Sequence, residues 1–263
     1  MANPIRAFLN RPNDDTAKTF GVAIGVALVS ALVVSTASVL LKPIQDANIA
    51  AEQAARMEAM LDQLPGMRDL MMETGVDALE TRMVDLATGA FLPGTDAAGF
   101  DMLAAAQDPE TSVALTTEQD LASIKRRPTM APVYLLQKDG DLMLLVLPVH
   151  GTGYASTIRA MLALEADLQT VAALTVLEQG ETPGLGARIM EPDWQAQWPG
   201  TLALAEDGTP VVEVVKGGAT DAWQVDGLTG ATRTSNAIQF LLQFWLGPDG
   251  YGPMLDRLRA EGL

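Results

Sequence analysis

Thr229, Thr232, Thr234 and Ser235 crowd into seven residues of the run VDGLTGATRTSNAIQFLLQFWL, from Val225 to Leu246. A hydroxyl can bond to backbone, cap a helix or, once activated, carry an ester. Other nucleophiles are scarce. The chain has no cysteine and one histidine, His150, which rules out a thiol nucleophile, a disulfide, a cysteine-ligated cluster and a multi-histidine metal site within the chain. No Ser–His–acid arrangement is visible either, so a hydrolase finds no support.

The four hydroxyls stand at the entrance to a helical pattern. Ile238, Leu241, Leu242 and Trp245 recur at i, i+3, i+4 and i+7, which predicts an amphipathic helix from about Ser235 to Leu246. Capping is the ordinary use of Thr or Ser there, contributing about 1 kcal/mol. It accounts for one or two hydroxyls and leaves the small pair Gly230–Ala231 unexplained, a pair that keeps Thr232 sterically open. The N–H groups and dipole of a helix start favour a phosphate oxyanion. A Thr hydroxyl beside such a site could be esterified to phosphate and tether a ligand, provided another enzyme performs the transfer.

Three further stretches carry possible chemistry. GETPGLGAR, Gly180 to Arg188, is a stiff loop whose backbone could approach a flat ligand closely, or simply a strand exit. Trp194 and Trp198 are four apart, which suits one face of a short helix and core packing. HGTGYAS, from His150, resembles a dinucleotide loop, but Ser156 occupies the third glycine position and no repeating βαβ pattern surrounds it. The expectation is a tight strand-to-helix turn, with His150 a turn or core residue.

The elements that must position these residues read as α+β. VYLLQK and LMLLVLPV flank Asp139–Gly140, a pair suited to a type I′ hairpin turn. TLALAE and VVEVV around Asp207–Gly208 predict a second hairpin. Between them lie a helix over Ala155–Glu165 and a strand, TVAALTVLE. Hairpins mixed with few helices argue for a largely antiparallel sheet with flanking helices. Residues 67 to about 130 mix short helical patterns and turns without visible chemistry.

Upstream, Phe20 to Leu41 runs 22 residues without a charge between Lys18 and Lys42, long enough for a helix crossing a hydrocarbon core of ~30 Å. A cleaved signal has a shorter apolar region and a small-residue cleavage site, so a retained single-span anchor in a bilayer is expected. Arg6, Arg11 and Lys18 precede it; Lys42 and Arg56 follow it nearby. That bias, with an acidic body beyond, places the N-terminus inside and the body outside. Ile44 to Leu64 reads as a helix stopped by Pro65–Gly66. The expected organisation is a cytoplasmic tail over 1–19, a span over 20–41, a membrane-proximal segment over 42–130 and a folded domain over 131–263. A net charge of −16 argues against a nucleic-acid partner.

Asp226-Gly227-Leu228-Thr229-Gly230-Ala231-Thr232 resembles the acceptor motif Asp-x-x-Ser/Thr-Gly-Ala-Ser/Thr of covalent FMN-binding domains. Glu181 to Gly186, ETPGLG, resembles that family's ring-facing loop. The anchor, GTGYASTIRAMLALEADLQTV and VVKGGATDAWQVDGLTGAT are similar to the NqrC family of the sodium-translocating NADH:quinone oxidoreductases. The resemblance implies FMN esterified through its phosphate to Thr232 by a transferase using FAD. It implies electron relay among the other subunits of a multisubunit NADH:ubiquinone reductase in the bacterial inner membrane, with the domain periplasmic and no catalytic residue or metal of its own. Glu181, Thr182, Gly184 and Leu185 would border the ring, and Asp226 would fix the turn or assist the transferase by helping to polarise the acceptor hydroxyl. Lys216 and the N–H groups around Gly230 and Ala231 would meet the phosphate. Two alternatives stay open: an electron carrier of the related Rnf complexes, and a membrane-anchored scaffold without flavin.

Overall fold

The computed structural model describes residues 12, 15–16, 18–36, 41–42, 80–95, 97, 100–138 and 141–262. The expected helix over Ile44–Leu64 with its Pro65–Gly66 stop, and the Asp139–Gly140 turn, lie outside these residues. The chain divides into two units, residues 1–55 and 56–263.

In the first unit, helix α1 spans Lys18–Thr36 with a mean hydropathy of 2.1 and no buried residue in its apolar window. At 1.5 Å per residue its 19 residues extend roughly 28 Å, matching a bilayer core. Phe20, Ile24, Leu28 and Leu32 are all more than half exposed, a disposition that lipid satisfies and water does not.

The second unit is built on a five-stranded antiparallel sheet. Its strands are β1 (Glu80–Asp85), β4 (Met130–Lys138), β5 (Asp141–Thr152), β6 (Thr157–Glu165) and β7 (Val171–Glu178), in that spatial order. Two small ladders supplement it: β2 (Ser112–Ala114) with β3 (Arg126–Pro128), antiparallel, and β8 (Glu213–Val215) with β9 (Gln224–Asp226), parallel. The helices are α2 (Met102–Gln107), α3 (Pro192–Gln195), α4 (Thr232–Leu246) and α5 (Gly252–Glu261).

Side chains on a strand alternate faces. Leu145, Leu147 and Val149 of β5 and Ile158, Ala160, Leu162 and Leu164 of β6 share the main core with Ile238, Leu241, Leu242 and Trp245 of α4. The expected apolar stripe of α4 is therefore the one that packs. Trp245 is fully buried, and its indole N–H donates to the His150 carbonyl at 2.6 Å. His150 itself is buried against the Trp245 ring, centroids 4.9 Å apart. Burial, helped by the Arg159 charge and opposed by Asp101, pushes its pKa down to about 4. It is a neutral core residue.

Three expectations need correction. Ala155–Glu165 contains the strand β6, not a helix. Its Ala, Met and Leu residues favour helix weakly, but buried and part-buried positions alternate from Ile158 to Leu162, and β6 pairs with β5 on one side and β7 on the other. HGTGYAS thus contains a strand-to-strand turn. The second hairpin is shorter than expected: Gly208 turns the chain at φ +86°, Leu204 bridges Pro210, and Ala205 N–H donates to Thr209 carbonyl and Val211 N–H to Ala203 carbonyl, both at 2.9 Å. VVEVV instead supplies β8, which pairs parallel with β9. Finally, α4 begins at Thr232, three residues earlier than expected.

Candidate functional site

Three segments converge at the start of α4: the β5–β6 turn (153–156), the loop leaving β7 (179–186) and the run from Asp226 to Ser235. Glu181 joins them. Its carboxylate is 4% exposed and accepts from the Thr234 hydroxyl at 2.5 Å, from Ala155 N–H at 2.9 Å and from Ser156 N–H at 3.3 Å. Burial acts to raise its pKa, but hydrogen bonds from Thr234 and the 154–156 backbone outweigh it and hold the carboxyl below its ordinary value. Its carboxylate is spent inside the loop base, because a buried charge must be saturated with donors.

The rest of the loop turns outward. Thr182 carbonyl accepts from Leu185 and Ala187 N–H, closing a tight turn. Gly184 takes φ +73°, a left-handed conformation open to glycine. Leu185 is left 45% exposed. Its Cδ2 lies over Gly230, 3.4 Å from where a Cβ on that residue would stand. The two sequence motifs, about fifty residues apart, thus touch.

The acceptor run is pinned from below. Asp226 N–H donates to Gln197 Oε1 at 3.2 Å, its carbonyl accepts from Trp194 Nε1 at 2.9 Å, and its carboxylate accepts from Ala219 N–H at 2.5 Å. Through this bond the Asp226 carboxylate ties down the turn formed by Gly217 and Gly218, both at φ near +100°. Gly227 N–H donates to Val215 carbonyl, and Leu228 N–H to Ser235 Oγ. Leu228 and Ala231 are buried, while Thr229, Gly230 and Thr232 face out. Gly230, at φ +84°, reverses the chain into the helix.

The hydroxyls therefore divide by task. Thr234 and Ser235 are buried and hold segments together. Thr229 and Thr232 are exposed. Ala231 is the N-cap of α4, and no side chain caps the helix, so its first N–H groups and positive dipole end stand beside the Thr232 hydroxyl. Lys216 is exposed and follows β8 where Gly227 follows β9, since Val215 pairs with Asp226.

Several neighbours escaped the sequence reading. Arg233 lies over the exposed Tyr154 ring, 5.3 Å from its centroid. Arg188, Trp194 and Gln197 line an open cleft with Gly227, Leu228 and Thr229. Adjacency to Thr232 in a strongly acidic chain was the available signal for Arg233. Trp194 and Trp198 are buried edge to face at 5.5 Å, the core packing expected, and Trp194 also anchors the acceptor run.

Comparison with known proteins agrees with this geometry. Residues 153–247 match the FMN-binding domain family. The C subunit of the Na(+)-translocating NADH-quinone reductase of Vibrio parahaemolyticus is 42% identical, over 95% of this chain and 98% of that one. Its counterpart in Pseudomonas aeruginosa is 41% identical, over 94% and 97%. The crystal structure of NqrC from Shewanella oneidensis superposes with a TM-score of 0.67 at 32% identity, covering 74% of this chain and 88% of that one.

Proposed function

Because the chain belongs to the NqrC family of the Na(+)-translocating NADH-quinone reductases and contains an FMN-binding domain, we propose that it carries FMN esterified to Thr232 and relays electrons between partner subunits. The single observation carrying the attachment point is the exposed Thr232 hydroxyl at an α4 entrance that no side chain caps, with Leu185 lying over the adjacent Gly230.

The residues present fit such a group. A phosphodiester at Thr232 keeps about one negative charge, which the α4 N-terminus stabilises at close range. Lys216 and Arg233 add cations to an otherwise acidic domain. Thr232 Oγ receives the FMN phosphoryl group of FAD from a transferase. The new O–P bond replaces the pyrophosphate bond, AMP leaves and the hydroxyl proton passes to base. Thr182, Gly184 and Leu185 form the border facing the ring, with Leu185 excluding water from one face. FMN supplies the redox chemistry that these side chains lack.

The bias of basic residues toward the N-terminal side of α1 supports a domain on the periplasmic side of the inner membrane. Co-expression of the full chain with a flavin transferase, followed by detergent denaturation and in-gel fluorescence, tests the attachment. Thr232→Val should give a dark band and Thr229→Val a fluorescent one. A fluorescent Thr232→Val band would overturn the assignment.

A further inference from the structure

We propose that Glu181 is a positioning residue for the flavin: its carboxylate locks the loop carrying Leu185 onto the first turn of α4, and so fixes the ring-facing wall relative to Thr232. The inference rests on the reading that FMN is attached at Thr232.

Both oxygens of the carboxylate are used. Glu181 Oε2 accepts from Thr234 Oγ1, two residues past the attachment point, while Oε1 accepts from two N–H groups of the β5–β6 turn. No lysine or arginine among the described residues pairs with it. Three neutral donors thus converge on one buried anion, and charge-assisted bonds of this kind are the strong ones. A glutamine of the same size could keep its oxygen on the two turn N–H groups and donate its NH₂ to Thr234 Oγ1, since a hydroxyl also accepts, but it would lose the charge that strengthens all of these bonds. The surrounding chain is cut to fit. A Cβ on Gly153 would stand 2.5 Å from Oε1, and one on Gly186 would stand 2.9 Å from Oε2 and collide with Thr234 Oγ1. Gly186 directly follows Leu185, so the point where the carboxylate grips α4 is one residue from the side chain that overhangs Gly230. Ser156 Oγ adds a second tie by accepting from Gly180 N–H at 2.6 Å.

Burying a charge is costly unless it is fully bonded. The sheet has no need of this one, since β5, β6 and β7 already pair along their lengths. What the carboxylate uniquely joins is the loop, the turn and the attachment helix.

The test uses the full chain, loaded by a flavin transferase, purified in detergent and confirmed by mass to carry FMN. Visible circular dichroism and iodide quenching of the flavin report how firmly the ring is seated; far-ultraviolet circular dichroism reports the fold. Loaded Glu181→Ala and Thr234→Val should each lose visible dichroism severalfold and gain quenching severalfold, with Glu181→Gln falling between them and wild type. Thr234→Ser, which keeps the hydroxyl, should match wild type. If Glu181→Ala fails to fold, Thr234→Val decides. Wild-type dichroism and quenching in loaded Thr234→Val or in loaded, folded Glu181→Ala would overturn the proposal. A flavin adduct on Thr232→Val would instead sink the attachment reading, whatever the Glu181 variants do.

Discussion

Four hydroxyls within seven residues differ in use, and burial sorts them. Ser235 is 3% exposed and its oxygen accepts the Leu228 N–H at 2.9 Å. Leu228 is itself buried, so no water replaces that acceptor. Ser235→Ala should therefore cost about 1–3 kcal/mol, the penalty of stranding a buried donor, measured by urea unfolding of the unloaded chain. Thr229→Val, on an exposed side chain, should leave the same midpoint nearly unchanged. Thr232 differs from both, because its exposed hydroxyl stands at a helix end that offers its dipole and free N–H groups to a ligand. The role proposed for it comes from the motif. The roles of Thr234 and Ser235 could not, because their partners lie 53 residues away at Glu181 and across a turn at Leu228.

At the scale of elements, periodicity was a reliable guide where one face is buried and a poor one where both are. The α4 stripe of Ile238, Leu241, Leu242 and Trp245 was legible because its other side meets solvent. The β6 strand was not, since Ala163 and Leu164 are buried on opposite faces of a central strand, and such a run of Ala and Leu imitates a helix. The parallel β8–β9 ladder escaped for a related reason: three-residue strands carry too little pattern. The contact between β5 and α4 has a pH signature. His150 falls from its ordinary value of 6.5 to about 4 on folding, so the unfolded chain binds the proton more tightly. Stability contributed by neutral His150 is fully present above pH 6.5 and is lost as pH falls toward 4, amounting to about 3 kcal/mol. Unfolding midpoints of wild type should drop across that window more steeply than those of His150→Gln. Parallel pH profiles for the two chains would contradict a neutral, buried imidazole.

For the whole molecule, one apolar helix and one acidic domain divide the work of location and chemistry. The residues beyond Leu41 hold 14 basic and 31 acidic side chains, a surface that resists both nucleic acid and anionic lipid. Attachment to the bilayer therefore falls to α1, whose apolar side chains are exposed throughout. With the domain outside, as we propose, added protease should remove it from intact spheroplasts and leave the N-terminal tail protected. Cleavage only after lysis would reverse the orientation. The sequence made the span and the acceptor motif legible because each is local. It did not reveal that Glu181 holds the two motifs against each other, since that role exists only once the β5–β6 turn, the β7 exit and α4 have met.

The most direct test is the mass of one peptide. Trypsin should release residues 217–233, which contain both Thr229 and Thr232. From a host that performs the transfer, this peptide should weigh its amino acids plus one FMN less one water, with fragmentation placing the addition on Thr232. An unmodified peptide from flavin-replete cells, or an addition placed on Thr229, would contradict the central claim.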